Sequence, residues 1–313
     1  MKIVVLDGYA NNPGDLNWDD FKELGDVTIY DRSSQEEVKE RIKDADVVLS
    51  NKARIGKDEL ENSKVKYIGV IATGFDVIDL EYCKKNNITV TNVPNYSTNA
   101  VVQMTFSHIL NYFNRVDEYA DKIRNGRWKD SKDFCFYLNT IKDISNLTLG
   151  IIGYGTIGKK VGEIAKAFGM KLIVLNHGEK KEDYYLDADE FYKKADIISL
   201  HAPLNDSTFE MINKDSINKM KDGVIIVNTA RGKLVNEKDL AYALDKKKVK
   251  AYLSDVLYKE PMEKDHIFLG REDVFLTPHI AWASYDSRVE LMRILFENLK
   301  KYIDGKPQNV VSK

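Results

Sequence analysis

Leu149-Gly150-Ile151-Ile152-Gly153-Tyr154-Gly155-Thr156-Ile157-Gly158 runs a short apolar strand into three glycines spaced G-x-G-x-x-G. The next segment, 159–169, predicts a helix, because Val161, Ile164, Ala165 and Phe168 recur at helical spacing on one face. Strand, glycine turn and helix in this order form the context that a dinucleotide fingerprint requires. Gly153 permits the tight turn, Gly155 lets the backbone approach a pyrophosphate, and Gly158 lets helix and strand pack closely. The helix N-terminus then offers N–H groups to the phosphates. Residues 153–159 also fit the start of a P-loop, G-x-x-x-x-G-K. That loop needs Ser or Thr next, to hold magnesium, and Lys160 stands there instead. A dinucleotide is therefore preferred to a nucleoside triphosphate.

Outward from this turn, the chain alternates strand and helix on both sides. Downstream, strands are expected at 149–152, 171–175, 196–200, 223–228, 251–255 and 274–276, with helices near 187–194, 213–220 and 236–246. This pattern predicts a doubly wound α/β sheet. Upstream, apolar strands at 3–6, 27–30, 45–49, 67–71 and 89–91 alternate with helices at 18–24 and 35–43, the latter capped by Ser33 or Ser34. This first α/β unit has no glycine-rich phosphate turn, which suits a substrate-binding or capping role. After the turn-rich residues 92–98, one long helix is expected over 99–126 as the crossing into the second domain. Residues 127–146 are irregular and aromatic, with Trp128, Phe134, Phe136 and Tyr137, and are read as a subunit interface. An amphipathic final helix over 284–302 is expected to return to the first domain.

The 313 residues suggest about two domains. A formal net charge of −2 gives no bulk attraction to nucleic acid or anionic membrane. No apolar run approaches the ~20 residues that span a bilayer. The N-terminal apolar run is too short for a signal peptide. Cys83 and Cys135 make no metal or redox motif and read as buried thiols in a reducing cytoplasm. The run Lys246-Lys247-Lys248 reads as a solvated helix end.

An NAD site usually places Asp or Glu about 20 residues past the glycines, on the ribose hydroxyls. Here the strand at 171–175 ends at Asn176-His177-Gly178, so the acid position is neutral. An amide still hydrogen-bonds a ribose diol, but it does not repel a 2′-phosphate as a carboxylate does. His177, Lys180 and Lys181 lie nearby in sequence and could attract one. NAD and NADP both stay open.

Three further segments stand at expected strand C-terminal ends, where open α/β sheets bind ligands. They are Val227-Asn228-Thr229-Ala230-Arg231-Gly232, Asp255-Val256-Leu257-Tyr258-Lys259-Glu260-Pro261 and Thr277-Pro278-His279-Ile280-Ala281-Trp282. A guanidinium fixed just after a strand suits a carboxylate, through two parallel hydrogen bonds. Among the five histidines, His108 reads as a core or interface residue, His177 as part of the cofactor turn, and His201 as a residue lining the cofactor. His266 reads as solvated, and His279, after a Thr-Pro turn, as the candidate for catalysis.

Taken together, these segments resemble the D-isomer-specific 2-hydroxyacid dehydrogenases over the whole chain. The matching elements are the glycine turn at 153–158, His201-Ala202-Pro203-Leu204, Asn228-Thr229-Ala230-Arg231-Gly232, Asp255-Val256 with Glu260-Pro261, and Thr277-Pro278-His279. Further stretches look like the glycerate dehydrogenase (hydroxypyruvate reductase) branch: Leu6-Asp7-Gly8-Tyr9, Pro13-Gly14-Asp15-Leu16, Asn51-Lys52, Ala72-Thr73-Gly74-Phe75-Asp76, residues 92–98 and Asp133-Phe134-Cys135-Phe136.

The resemblance implies two doubly wound parallel-sheet domains. A Rossmann-type coenzyme domain at 99–283 would be inserted in a flavodoxin-like substrate domain formed by 1–98 and 284–313. It implies His279 as the general acid that protonates a substrate carbonyl oxygen. Glu260 would hold the imidazole and stabilise its charged form, and Arg231 would bind the substrate carboxylate and polarise the carbonyl. Lys52 and the backbone of Thr73 and Gly74 would grip the carboxylate from the first domain, with closure excluding water. Gly153, Gly155, Thr156, Ile157, Gly158, Asn176, Ala202, Pro203, Thr208, Thr229, Ala230, Arg231 and Asp255 match coenzyme-contact positions. No metal is implied. Two departures stand out: Asn176 replaces the usual acid, and Arg54 stands where a small residue or Pro is expected and is read as facing solvent.

The implied activity is reduction of a small 2-oxo acid, hydroxypyruvate or glyoxylate preferred, to the D-2-hydroxy acid. The expected cofactor is NAD, with NADP open, and the expected state is a cytoplasmic homodimer. Pyruvate or bulkier 2-oxo acids are alternative substrates. A dinucleotide-sensing, corepressor-like binding protein is the alternative of a different class.

Overall fold

The computed structural model describes residues 1–176, 178 and 182–312. His177, Lys180 and Lys181, proposed above to attract a 2′-phosphate, lie outside the described residues. The chain divides into two compact units, Met1–Ser97 with Trp282–Lys313, and Thr98–Ala281.

In the first unit the strands are β1 (Lys2–Val5), β2 (Asp26–Ile29), β3 (Val47–Ser50), β4 (Tyr67–Val70) and β5 (Thr89–Thr91). Between them lie helices α1 (Asp19–Lys22), α2 (Gln35–Ile42), α3 (Lys57–Leu60) and α4 (Leu80–Lys85). The sheet is parallel throughout, in the order β2-β1-β3-β4-β5, which is the flavodoxin-like order. Its strands are apolar on both sides because each face is covered. Val4, Leu6, Val48 and Ile68 pack into one cluster, while Ile3, Val5, Val47, Leu49 and Tyr67 pack into the other.

The second unit contains α5 (Thr98–Asn114), α6 (Val116–Arg124), β6 (Thr148–Ile152), α7 (Thr156–Ala167), β7 (Lys171–Leu175), β8 (Tyr185–Leu186), α8 (Ala188–Lys194), β9 (Ile197–Leu200), α9 (Lys214–Lys219), β10 (Val224–Asn228), α10 (Glu237–Asp245), β11 (Val249–Ser254) and β12 (Val274–Leu276). The strands form a parallel sheet in the order β12-β11-β10-β9-β6-β7-β8. The order reverses at β6, so the crevice where such sheets bind ligands opens between β6 and β9. Alternation along β10 is clean: Val224 and Ile226 face one cluster, Ile225 and Val227 the other. β11 carries one extra residue against β10, since Val224 pairs with Val249 but Ile225 with Ala251. Lys250, exposed, is the unpaired residue of this bulge.

The chain then returns to the first unit as α11 (Tyr285–Ile303). Leu291, Leu295 and Leu299, spaced by four, lay one stripe against Ile3, Val5, Leu49 and Tyr67. Arg288 of α11 makes two 2.6 Å bonds to the Asp15 carboxylate. That pair locks the helix start to the loop after β1.

Several expectations need correction. The long helix over 99–126 is two helices, because Arg115 adopts left-handed backbone (φ 52°, ψ 37°). Its guanidinium lies 5.1 Å from the Phe275 ring and 5.8 Å from that of Tyr112. Such cation–π contact favours this break without any Gly or Pro to announce it. The helix after the glycine turn begins at Thr156, three residues earlier than expected. The two-residue strand β8 has no periodicity to reveal it. Cys83 is buried, but Cys135 only partly so. Lys248 is not a solvated helix end, since its ammonium donates to the Met220 carbonyl (2.5 Å) and the Asp222 carboxylate (2.8 Å).

Candidate active site

Sheet register lines up the candidate residues of the second unit. Ile152 pairs with Leu200, Leu200 with Asn228, Asn228 with Ser254, and Ser254 with Leu276. This row forms the carboxyl edge of five adjacent strands. The next residues are Gly153, His201, Thr229, Asp255 and Thr277. The motifs singled out in the sequence therefore all cross or leave one straight edge.

At β6, Gly153 turns with φ 91°, and a Cβ there would lie 2.5 Å from Ala202 N and His201 C. A Cβ on Gly158 would lie 2.2 Å from the Gly153 carbonyl oxygen. Both glycines are thus required by the chain's own packing. Gly155 differs: among the described residues, its two chain neighbours aside, no atom comes within 4 Å of a Cβ built on it. Its small size leaves room for a group other than this chain, as a pyrophosphate cradle requires. Lys159 N–H makes the first intrahelical bond of α7, to Gly155 O (2.9 Å). The amides of Thr156, Ile157 and Gly158 precede that ladder and present the positive end of the helix. The glycine turn therefore fits a dinucleotide.

Asn176 ends β7. Its Oδ1 accepts the Gly178 N–H (3.1 Å), so the turn consumes its acceptor and directs its chemistry toward the Nδ2 donor. The backbone of His201, together with buried Ala202, walls the glycine turn. The His201 imidazole instead meets the Ser199 hydroxyl (2.8 Å), and desolvation pushes it down to about 4, so the ring is neutral. The backbone at this position, and not the ring, faces the turn. Pro203 is exposed. Thr208 donates to the Pro203 carbonyl (2.6 Å) and accepts from Asn205 N–H (2.9 Å), holding the 203–208 turn. Thr229 is buried, with its hydroxyl 3.0 Å from that of Thr105. These two hydroxyls therefore shape the site from inside the scaffold.

Arg231 leaves the end of β10 in extended backbone and donates to the Ala230 carbonyl (2.8 Å), which fixes its guanidinium near the sheet edge. Gly232 follows because a Cβ there would overlap the Leu257 carbonyl at 1.9 Å. The Arg231 turn and the loop after β11 are thus pressed backbone to backbone. In that loop Glu260 Oε1 accepts the Leu257 N–H (3.0 Å), which points Oε2 at His279 Nδ1, 2.6 Å away. A carboxylate can only accept, so Nδ1 donates, and Nε2 is the ring nitrogen left for another partner.

His279 has φ 55°, unusual for a residue with a side chain. Asp255 enforces it. Buried to 1 % exposure, its carboxylate accepts the Thr277 hydroxyl (2.5 Å) and the N–H groups of Ile280 (2.9 Å) and Ala281 (2.7 Å). Asp255 had been matched to a coenzyme contact; within the chain, its carboxylate holds the His279 turn. His108 reinforces the same turn from α5, through Thr277 (3.1 Å).

The first unit carries Lys52, Thr73 and Gly74. Lys52 and Thr73 are exposed and Gly74 half-buried. The Thr73 hydroxyl donates to the Val93 carbonyl (2.8 Å), and Asn92 donates to the Thr73 carbonyl (2.8 Å). Arg54 is exposed. Sequence reasoning gave no role to Asp7, yet its carboxylate accepts the successive N–H groups of Asn51 (2.8 Å), Lys52 (2.6 Å) and Ala53 (3.2 Å). It shapes the Lys52 loop. The only available signal was an Asp just past an apolar strand. His266, read as solvated, is a further correction: its side chain is 6 % exposed and lies 3.3 Å from Glu237.

Among the described residues, no helix is long and apolar enough to cross a membrane, and no group of three or more His, Cys, Asp or Glu could hold a metal ion.

A dinucleotide turn at the switch point of a Rossmann sheet, with a carboxylate–imidazole pair and a fixed guanidinium on the same edge, defines a nicotinamide-dependent dehydrogenase. Residues 106–281 match the family of the D-isomer specific 2-hydroxyacid dehydrogenase, NAD binding domain. The chain is 41 % identical to a hydroxypyruvate reductase of Blautia hydrogenotrophica, covering 100 % of both proteins. It is 37 % identical to a glycerate dehydrogenase of Methylorubrum extorquens, covering 88 % of each. Among solved structures, it resembles an acyclic imino acid reductase in complex with NADPH and D-Arg, with a TM-score of 0.86, 32 % identity, and coverage of 99 % of this chain and 100 % of that one. The protein belongs to the D-isomer-specific 2-hydroxyacid dehydrogenase family, in its glycerate dehydrogenase and hydroxypyruvate reductase branch.

Proposed function

We propose that the protein reduces a small 2-oxo acid, hydroxypyruvate or glyoxylate preferred, to the D-2-hydroxy acid. The observation that carries this reading is the 2.6 Å contact between Glu260 and His279 Nδ1. It makes the imidazole a proton carrier that works through Nε2. The relatives named hydroxypyruvate reductase and glycerate dehydrogenase support the substrate class.

Bound at the glycine turn, the nicotinamide coenzyme supplies the hydride. Gly153, Gly155, Thr156, Ile157 and Gly158 hold its phosphates, Asn176 its adenosine ribose, and the backbone at 202–203 and 229–230 its nicotinamide half. Arg231 binds the substrate carboxylate and polarises the carbonyl. His279 delivers a proton from Nε2 to the carbonyl oxygen, and Glu260 stabilises the charged ring before transfer. Asp255 and His108 keep that ring in place through the Thr277 turn.

NADPH is accepted along with NADH in this proposal, because Asn176 offers a donor where a carboxylate would repel a 2′-phosphate. The active form is a cytoplasmic homodimer joined through residues 116–141. The support for that face is its apolar surface: Phe134 is 89 % exposed, Tyr137 73 % and Val116 62 %, and α6 buries no residue. Sedimentation at micromolar concentration checks the dimer. The chemistry is tested by a kinetic matrix of NADH and NADPH against hydroxypyruvate, glyoxylate, pyruvate and bulkier 2-oxo acids. Turnover highest with hydroxypyruvate or glyoxylate is expected. Background rates across the whole matrix would sink the reading.

A further inference from the structure

Glu237 opens α10 and has no part in the chemistry described above. Its side chain is 15 % exposed, which is costly for a carboxylate unless its oxygens are matched. Both are. Oε1 accepts the N–H of Tyr258 (2.9 Å), and Oε2 lies 3.3 Å from His266 Nε2. The state of that histidine follows from its other side. His266 Nδ1 accepts the Phe268 N–H (3.2 Å), which leaves Nε2 as the ring nitrogen that carries a proton and turns it to the Glu237 side. The ring is fixed in turn by Phe268, at a centroid distance of 5.3 Å.

The target of this arrangement is the loop that carries Glu260. Leu257 and Tyr258 are consecutive. The N–H of Leu257 is held by Glu260 Oε1, and the N–H of Tyr258 by Glu237 Oε1. Two carboxylates therefore grip successive amides of one turn, one facing His279 and the other anchored in the scaffold. The same turn is pressed on Gly232, next to Arg231. Its Tyr258 ring is flanked by Phe209 (6.3 Å) and the Lys233 ammonium (5.6 Å).

We infer that Glu237, oriented by His266, is a positioning residue for the Glu260–His279 pair, acting through the Leu257–Tyr258 turn. The inference rests on the reading of that pair as the proton-delivering group. Without the Glu237 acceptor, the Tyr258 amide rotates, the Leu257 amide follows, and the aim of Glu260 loosens. Misplacement of a catalytic group by about 1 Å costs up to roughly 100-fold in rate.

The test compares Glu237→Ala, Glu237→Gln and His266→Ala in the full-length protein. Three readouts are taken: kcat and KM for hydroxypyruvate with NADH, NADH affinity by fluorescence, and the imidazole N–H proton of His279 by NMR in protein labelled with ¹⁵N-histidine. Glu237→Gln keeps an acceptor for Tyr258 but turns an NH₂ group toward His266, so it should lose less kcat than Glu237→Ala and keep most of the downfield Nδ1–H signal of a short bond to a carboxylate. Glu237→Ala should lower kcat roughly 10- to 100-fold, leave NADH affinity unchanged, and shift that signal upfield. His266→Ala should change both readouts in the same direction by less. Should Glu237→Ala fail to fold, His266→Ala decides the matter with the same readouts. The inference is overturned if the alanine variant tested keeps parental kcat and the parental His279 signal. It is also overturned if kcat falls only in step with NADH affinity, or if Glu237→Gln loses as much as Glu237→Ala. The NMR signal needs no substrate, so absence of turnover in the parent would defeat the proposed reaction while leaving the positioning role to be read on its own.

Discussion

Asp255 brackets His279: its carboxylate takes the Thr277 hydroxyl on one side and the Ile280 and Ala281 amides on the other. The left-handed backbone of His279 is therefore set by a side chain 24 residues earlier in the sequence. Asp255→Asn keeps the shape but turns an NH₂ group toward donors that need an acceptor. Stability should fall by about 1–3 kcal/mol and kcat by roughly 10- to 100-fold. Urea unfolding and steady-state kinetics read both, and parental values in the two assays would refute the bracketing role.

His279→Ala should reduce kcat by about 10²–10⁴, the usual contribution of a positioned general acid, with NADH binding retained. Glu260→Gln keeps one acceptor oxygen, for Leu257 N–H or for His279 but not for both, and loses the charge; its kcat should fall less than that of His279→Ala. Near-parental turnover in His279→Ala would remove that residue from the proton path.

The three glycines of the turn should separate by phenotype. Gly158→Ala drives a methyl group into the Gly153 carbonyl and should destabilise the fold by roughly 1–3 kcal/mol. Gly155→Ala meets nothing among the described residues beyond its chain neighbours, so its melting temperature should match the parent while NADH affinity drops. Unchanged NADH affinity in Gly155→Ala would mean that the pyrophosphate is held elsewhere.

Asn176→Asp leaves an acceptor for the Gly178 amide and adds a charge at the ribose position. The ratio of kcat/KM for NADPH over NADH should fall about tenfold or more, equivalent to ~1.4 kcal/mol. A ratio that does not move would show that the residue faces away from the ribose.

His201 provides a pH dependence of stability. Desolvation holds its ring near pKa 4, against about 6.5 when the chain unfolds. Between these values the unfolded state binds the extra proton, so the contribution is intact above about pH 6.5 and is lost as pH falls toward 4. Going from pH 7 to 5 should cost about 2 kcal/mol through this group. Urea titrations of parent and His201→Gln at both pH values isolate it as a difference of differences. An identical pH dependence in the two proteins would contradict the buried neutral ring.

The apolar, β-branched runs of β6, β9 and β10 show both sheet membership and two-sided burial, because nothing else in a chain demands uninterrupted Ile and Val. The glycine turn was legible for a related reason, since backbone geometry leaves few residue types to choose from, whereas the pairing of Glu260 with His279 came from the family resemblance. What stayed hidden depends on partners distant in sequence. The break at Arg115 is coupled to the Phe275 ring, the burial of His266 needs Glu237, and Asp255 reads the same whether it faces a coenzyme or three groups of its own chain. Neither hydrophobic period nor motif spacing reports such polar pairings.

The bulge at Lys250 gives β11 a reading frame. Side chains on a strand alternate between faces, so one extra residue exchanges the faces of everything that follows it. With that residue present, Ser254 stands level with Asn228 and Leu276, and Asp255 emerges as the first side chain past the edge. Were Lys250 paired with Ile225 and no bulge formed, Leu253 would stand level with Asn228 and Ser254 would be the first side chain past the edge. The bulge at the far end of the strand thus sets the level at which Asp255 leaves the sheet edge. In this strand, single-residue insertions and deletions matter more than the identity of the side chain they carry.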